Sequence, residues 1–389
     1  MKKKIVVDVA NLTISDTHLK KTGIQEVIHQ VLLSVVRNRK KFPDKEIILL
    51  PFLPEGVKGS SHKIFLRNPK NILKSIEESI GLTSVEIWGF DFSKYDYDMS
   101  DDAIHQILDS SDHFHIQSLF GCDEILNRKS SVTKSITLYD ITPTLLPEYA
   151  NTGVADWFNN HYLPFVSRFN HVISISRHCL LDIYDYGFSG SKQKLSYLQL
   201  PTYKMADGFH ANSSARKPVN LDKYFIVVGS VEPRKNIVKL LEGFKVFSQL
   251  HPEYKLVFVG GSGWKSDIIF EKHCNDPQLK NRLHFTGYLS DEDMYAAIRD
   301  SQGLCMISCY EGYGLPLALA RSLGKVSLSN WGSSLPEASC YSSVYVESWD
   351  EYSIASGMQE MIERKNLSLV QDSYDWDSYT CKLIEMISG

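Results

Sequence analysis

Residues 303–324 read GLCMISCYEGYGLPLALARSLG, and the interpretation of this stretch decides the fold. An apolar run of strand length leads into Glu311, Gly312 and Gly314, then Leu315-Pro316 and a series of strong helix formers that stops at Gly324. Pro316 suits a first helical turn, Gly324 is a natural terminator, and the paired glycines allow close backbone approach. A buried strand feeding a helix through such a turn is one βα unit of a parallel sheet. The helix start offers unpaired N–H groups and a positive dipole end, which suit an anion. Glu311 precedes it with a carboxylate able to accept hydrogen bonds from hydroxyls. Favouring its own helix dipole is an alternative role for Glu311, but it leaves the glycines unexplained.

A second βα unit lies upstream. VVGSVEPRKN (227–236) ends a β-branched strand at Gly229, and Arg234 and Lys235 follow at the start of a helix read as beginning near Asn236. Two fixed cations beside unpaired helix N–H groups suit a phosphate or diphosphate, while a solvated loop with surface cations is the alternative. Further strands are read at KIVVDVA, EIILLPF, SVEIWGF, HFHIQSL, KSITLYDI and HVISIS, and beyond them at YKLVFVGG, RLHFTGYLS, KVSLSN and SVYVES. Helical periodicity lies between many of these, as parallel pairing requires. The polar, aperiodic stretch around 206–222 divides the alternation. The expected organisation is a Rossmann-like domain over 1–205, a linker over 206–222, a second Rossmann-like domain over 223–375, and a final helix, 376–389, crossing back to the first domain.

Composition sets the bounds. At 389 residues the chain is long enough for two cores, and 43% apolar with 23% charged residues excludes wholesale disorder. A net charge of −4 gives no global attraction to nucleic acid, so any anion site is local. Seven scattered cysteines, never spaced C-x-x-C, suggest neither a disulfide framework nor a zinc site and fit a reduced, cytoplasmic setting. MKKKIVVDVA is broken by Asp8 and reads as a first strand rather than a signal peptide. No apolar run reaches the ~18 residues of a membrane span, which leaves peripheral attachment open. LKKTGIQEVIHQVLLSVVRNRKKF is the best candidate for such attachment, and a core-facing first helix with basic ends is the alternative.

Taken together, YEGYGLP, SLGK, SNWGSSLPE, VVGSVEPRKN, VGGSGWK and FTGYLSDEDMYAAI resemble the carboxy-terminal domain of family 4 retaining glycosyltransferases of the GT-B fold. The flavour is that of bacterial surface-polysaccharide enzymes, often mannosyltransferases. TGIQEVIHQVL resembles the family's Gly loop and first helix, and LYDITPTLLPEY its amino-domain segment. The resemblance implies two Rossmann-like domains facing each other across a cleft. It implies that Arg234 and Lys235 hold the donor diphosphate, that Glu311 contacts donor-sugar hydroxyls, and that amides near Gly312, Gly314 and Leu315 receive phosphate oxygens. Gly23, flanked by Thr22, would let backbone approach the diphosphate. Tyr288 and Leu289 would lie near the nucleobase, Gly261 and Gly263 near the donor, and Asp140 along the sugar or acceptor side.

Three departures from the family stand out. The second Glu of the family's Glu-seven residues-Glu pattern, which grips ribose, is Leu319 here, and a leucine accepts no hydrogen bond. Tyr139 stands where many members have His; it can hydrogen-bond a sugar but does not titrate near neutrality. Ser230 occupies a position where some members carry another Arg.

Other motifs carry less. DYD (96–98) and DWD (375–377) match a two-aspartate metal pattern but follow no convincing strand, and no metal is expected. His113 and His115 share a strand face without a third ligand, so packing is their default. Ser333 and Ser334 read as a loop or helix cap, since no G-x-S-x-G elbow surrounds them. GGSG (260–263) lacks the dinucleotide spacing.

With these readings, the resemblance implies a retaining, metal-independent hexosyltransferase that moves a sugar, mannose favoured, from a nucleotide-diphosphate donor to a growing surface glycan such as O-antigen or capsule. No cofactor beyond the donor is expected. Partners would be the nucleotide sugar and a glycan or lipid-linked glycan acceptor, without nucleic acid, in the cytoplasm or peripheral to the cytoplasmic face of the inner membrane. The alternatives are a catalytically silent GT-B subunit that stabilises a partner, and a GT-B epimerase or phosphorylase, for which no positive signature exists.

Overall fold

The computed structural model describes residues 2–10, 23–51, 69–95, 99–117, 131–186, 193–201, 218–263, 265–269, 276–364 and 374–389. Thr22, Asp96–Asp98 and most of the 206–222 linker lie outside them. The chain divides into two compact units: residues 1–141, 156–199 and 376–389 form the first, and 142–155 with 200–375 form the second. The segment 142–155, read from sequence as part of the amino-terminal domain, is thus counted with the second unit.

The first unit is built on strands β1 (Lys3–Asp8), β2 (Lys45–Leu50), β3 (His113–Ile116), β4 (Thr133–Leu138), β5 (His171–Ser174) and β6 (Lys194–Tyr197), in the order β2-β1-β3-β4-β5-β6. All pairings are parallel. Helices cover both faces of such a sheet, which is why its strands read as unbroken apolar runs. The helix Gly23–Asn38 buries Val27, Ile28, Val31, Leu32 and Val35, so the apolar stripe considered for membrane attachment is core. The last helix, Trp376–Ser388, packs on it and buries Trp376, Tyr379, Leu383, Ile384 and Ile387. Asp377 of the DWD motif pairs with Arg37 at 2.7 Å. Among the described residues no helix is long and apolar enough to cross a membrane.

One strand expectation fails. SVEIWGF contributes a helix, Ser84–Trp88, because Thr83 and Glu86 form a reciprocal capping box and Gly89 ends the turn at φ 74°. In HFHIQSL the histidines serve packing. His113 Nε2 and His115 Nδ1 each lie 2.7 Å from Ser135 Oγ, His115 Nε2 is 3.0 Å from Thr137 Oγ1, and His171 Nε2 is 2.6 Å from Ser196 Oγ. Burial, reinforced by Lys3 near His113 and Lys194 near His171, holds both imidazoles down at about 4. His115, fully enclosed, is held well below its ordinary value by the same cause.

The second unit carries β7 (Tyr224–Val228), β8 (Lys255–Val259), β9 (Leu283–Gly287), β10 (Gly303–Cys305), β11 (Ser327–Ser329) and β12 (Val344–Tyr345), again all parallel, in the order β12-β11-β10-β7-β8-β9. Phe225, Phe244, Phe247, Leu256, Phe258, Met358 and Met361 form much of its core. The helices Ile237–Leu250 and Glu351–Glu363 pack closely because Gly243 faces Ile354, where a Cβ would come within 2.3 Å of Cγ2. Chain order reverses between β7 and β10, which are direct neighbours. In open α/β sheets the crevice at the carboxyl ends of such a pair is where ligands bind. The loops after β7 and β10 are the two stretches singled out from sequence.

Candidate active site

The loop after β7 forms a short 3-10 turn, Pro233–Lys235, and Asn236 then takes left-handed φ 55° to start the helix Ile237–Leu250. Arg234 and Lys235 therefore stand on a turn of their own, one residue short of the helix. Both reach the loop after β10. Lys235 Nζ and Arg234 Nη1 each lie 3.0 Å from Glu311 Oε1, and Ser308 Oγ donates to the same oxygen at 2.8 Å. Arg234 Nη1 also donates to the Tyr310 carbonyl at 2.5 Å, and Arg234 Nη2 pairs with Glu232 Oε1 at 2.7 Å. Burial pushes the Glu311 carboxyl up, but Lys235 and Arg234 outweigh it and hold it down at about 2. Glu311 is therefore a carboxylate at any physiological pH.

The backbone around Glu311 is braced from the loop after β11. Ser333 Oγ accepts from the Glu311 amide at 3.0 Å, and Ser334 Oγ donates to the carbonyls of Glu311 and Tyr313 at 2.7 and 2.8 Å. Asn330 Nδ2 donates to the Ser308 carbonyl at 3.1 Å. The two serines read as a loop or cap thus do more than end a strand: they fix the carboxylate's position. Cys309 donates its amide to the Arg234 carbonyl at 2.8 Å, and its thiol lies 3.8 Å from Tyr149 Oη.

Glycines let the strand ends converge. Gly260, at φ 138°, lies so close to Gly229 that a Cβ would meet its carbonyl oxygen at 2.3 Å. Gly261 faces the ring of half-exposed Tyr288 (Cβ distance 2.6 Å), and Gly263 faces Glu232 and Ser230 at 3.0 Å. Leu289 follows, half-buried. This groups Ser230, Gly261, Gly263 and Tyr288 just past the carboxyl ends of β7, β8 and β9. Gly314, at φ 109°, caps the helix Leu315–Ser322; Pro316 has no N–H and Leu317 donates its amide to the Gly314 carbonyl at 2.9 Å, which leaves the Leu315 N–H as the one without an intrahelical acceptor. Gly312 lies on the same turn as Glu311.

Leu319, at the ribose position, is 4% exposed and packed into the core. In the first unit Gly23 opens its helix and Asp140 is half-buried. Tyr139, expected to hydrogen-bond a sugar, is instead 4% exposed, and burial, with Tyr379 and Asp8 nearby, drives its phenol well above the usual range. Its hydroxyl does not reach solvent in this conformation. Sequence reasoning missed Glu232, Ser308 and Asn330, whose only advance signal is their place directly after strands β7, β10 and β11.

Residues 211–379, which fall largely in the second unit, match the family model described as "Glycosyl transferases group 1". The two-sheet architecture is that of GT-B enzymes: a Burkholderia xenovorans UDP-forming trehalose-phosphate synthase superposes over 100% of both chains with TM-score 0.65 at 8% identity. Anabaena HepE, solved with UDP and glucose, does so over 100% of both chains with TM-score 0.63 at 14% identity.

Among sequence relatives, the Escherichia coli serotype-specific mannosyltransferase WbdA is 23% identical over 335 residues, 81% of this chain and 37% of that protein. The E. coli O-antigen chain mannosyltransferase B is 33% identical over 118 residues, 29% of this chain and 30% of that protein. The chain thus spans well under half the length of these curated relatives.

Proposed function

We propose that the protein transfers a hexose, mannose favoured, from a nucleotide-diphosphate donor to a hydroxyl of a growing surface glycan, with retention of anomeric configuration and without a metal ion. The observation that carries this reading is the closing of Arg234 and Lys235 on Glu311 at the carboxyl ends of β7 and β10. Fixed cations there would offset the charge that grows on a departing diphosphate. Only Oε1 of Glu311 is engaged by Arg234, Lys235 and Ser308, which leaves Oε2 to accept from a donor-sugar hydroxyl. The amides at Gly314 and Leu315 suit phosphate oxygens.

The leaving phosphate itself would take the acceptor's proton on the same face of the sugar, so no separate base is required. Mannose is favoured by the names of the relatives, and an O-antigen-like acceptor follows from the same source. A lipid-linked acceptor would bring the protein to the cytoplasmic face of the inner membrane. The experiment is a screen of GDP- and UDP-linked hexoses for transfer or hydrolysis. Turnover of a GDP-hexose supports the reading, and inactivity with every donor counts against it.

A second reading is favoured by buried Leu319 and buried Tyr139: a silent GT-B subunit that stabilises an active partner. Such a subunit would bind neither UDP nor GDP in a calorimeter.

A further inference from the structure

The site holds two carboxylates as well as two cations. Glu232 and Glu311 face Arg234 and Lys235, and all four side chains are only 12–20% exposed. Their formal charges cancel, two positive against two negative. A neutral constellation has no net attraction for a diphosphate, so the donor's anionic bridge can gain these cations fully only if one carboxylate gives way.

The two carboxylates are held very differently. Glu311 has three donors on Oε1, Ser333 on its amide and Ser334 on its carbonyl. Glu232 has its ion pair to Arg234, and although it stands at the N-cap of the 3-10 turn, its side chain makes no capping bond. Its Oε2 lies 3.0 Å from where a Cβ on Gly263 would stand, so the glycine makes room for the carboxylate where it sits on Arg234. Arg234, in contrast, is tied to the Tyr310 carbonyl and stays in place when Glu232 leaves.

We propose that Glu232 is an internal counter-anion that occupies the diphosphate's place on Arg234 in the empty site and is displaced when the donor arrives. The inference rests on the donor-binding reading above. The exchange keeps Arg234 oriented between turnovers, weakens the hold on the nucleoside diphosphate product, and makes release easier.

The test is calorimetric titration of the full chain with GDP, UDP and inorganic pyrophosphate, comparing wild type, Glu232→Gln and Glu232→Ala. Both variants are expected to bind the nucleoside diphosphate about five- to tenfold more tightly, since a charge-assisted competitor is gone, with a steeper dependence on salt. Product inhibition should strengthen in parallel, and Glu232→Asp should return the affinity toward the wild-type value. Superimposable melting curves show that the variants are folded; if Glu232→Ala is not, Glu232→Gln carries the result. Affinity unchanged or weakened in folded Glu232→Gln, with wild type binding normally, overturns the inference and leaves the donor site standing. Failure of all three probes to bind wild type and variants alike overturns the donor site, and this inference with it.

Discussion

Ser334 Oγ, fully buried, donates to the Glu311 carbonyl at 2.7 Å and so ties the loop after β11 to the carboxylate loop after β10. The Tyr313 carbonyl lies 2.8 Å from the same oxygen, so the single O–H is shared between two carbonyl acceptors. Ser334→Ala leaves both without that donor. The expected result is a loss of about 1–3 kcal/mol in denaturant unfolding together with at least about tenfold slower transfer. Unchanged stability and turnover would show that the loop holds its shape without this bond.

Gly260 permits contact between the ends of β7 and β8. An alanine there meets the Gly229 carbonyl at 2.3 Å and is forced to φ 138°, a conformation that side chains rarely adopt. Gly260→Ala should cost more than about 2 kcal/mol and abolish donor binding. Gly81→Ala, at φ 73° with nothing within 4 Å, should be milder in thermal melts. Equal effects at the two sites would rule out the steric account.

The buried histidines of the first unit predict a pH dependence of stability. Folding lowers His113 and His171 to about 4, below the ordinary value of 6.5 that applies once the chain unfolds. Between those values the unfolded chain binds more protons than the folded one, so stability is fully present above about pH 6.5 and declines as the pH falls toward 4. The decline is on the order of 1 kcal/mol per pH unit for each histidine. Melting curves from pH 7.5 to 4.5 check this, and His171→Gln should flatten the profile. A profile that stays flat in wild type would contradict the assignment of neutral, buried imidazoles.

Most strands were legible because both faces of a parallel sheet are buried, which leaves unbroken apolar runs such as Ile47–Leu50 and Phe225–Val228. The run at SVEIWGF has the same texture, but it is a helix because the Thr83–Glu86 capping box, itself visible in the sequence, outweighs strand propensity. β6 was unreadable for the opposite reason: Lys194–Tyr197 is an edge strand with no buried residue. Arg234, Lys235 and Glu311 could be picked out singly because each follows a strand, and β7 beside β10 brings them together. Glu232, Ser308, Ser333 and Ser334 look like ordinary polar loop residues, and their bonds depend on strand order, which no local pattern encodes. Tyr139 went the other way, since a tyrosine just past a strand gives no sign of whether it turns outward or into the core.

The central claim is that Arg234 and Lys235, positioned by Glu311, form the seat of a donor diphosphate, and calorimetric titration of wild type and Lys235→Ala with GDP and UDP tests it most directly. Saturable binding of at least one nucleotide to wild type is predicted, weakened at least about tenfold when the Lys235 cation is removed. No binding of either nucleotide to wild type, or equal affinity in folded Lys235→Ala, would contradict it.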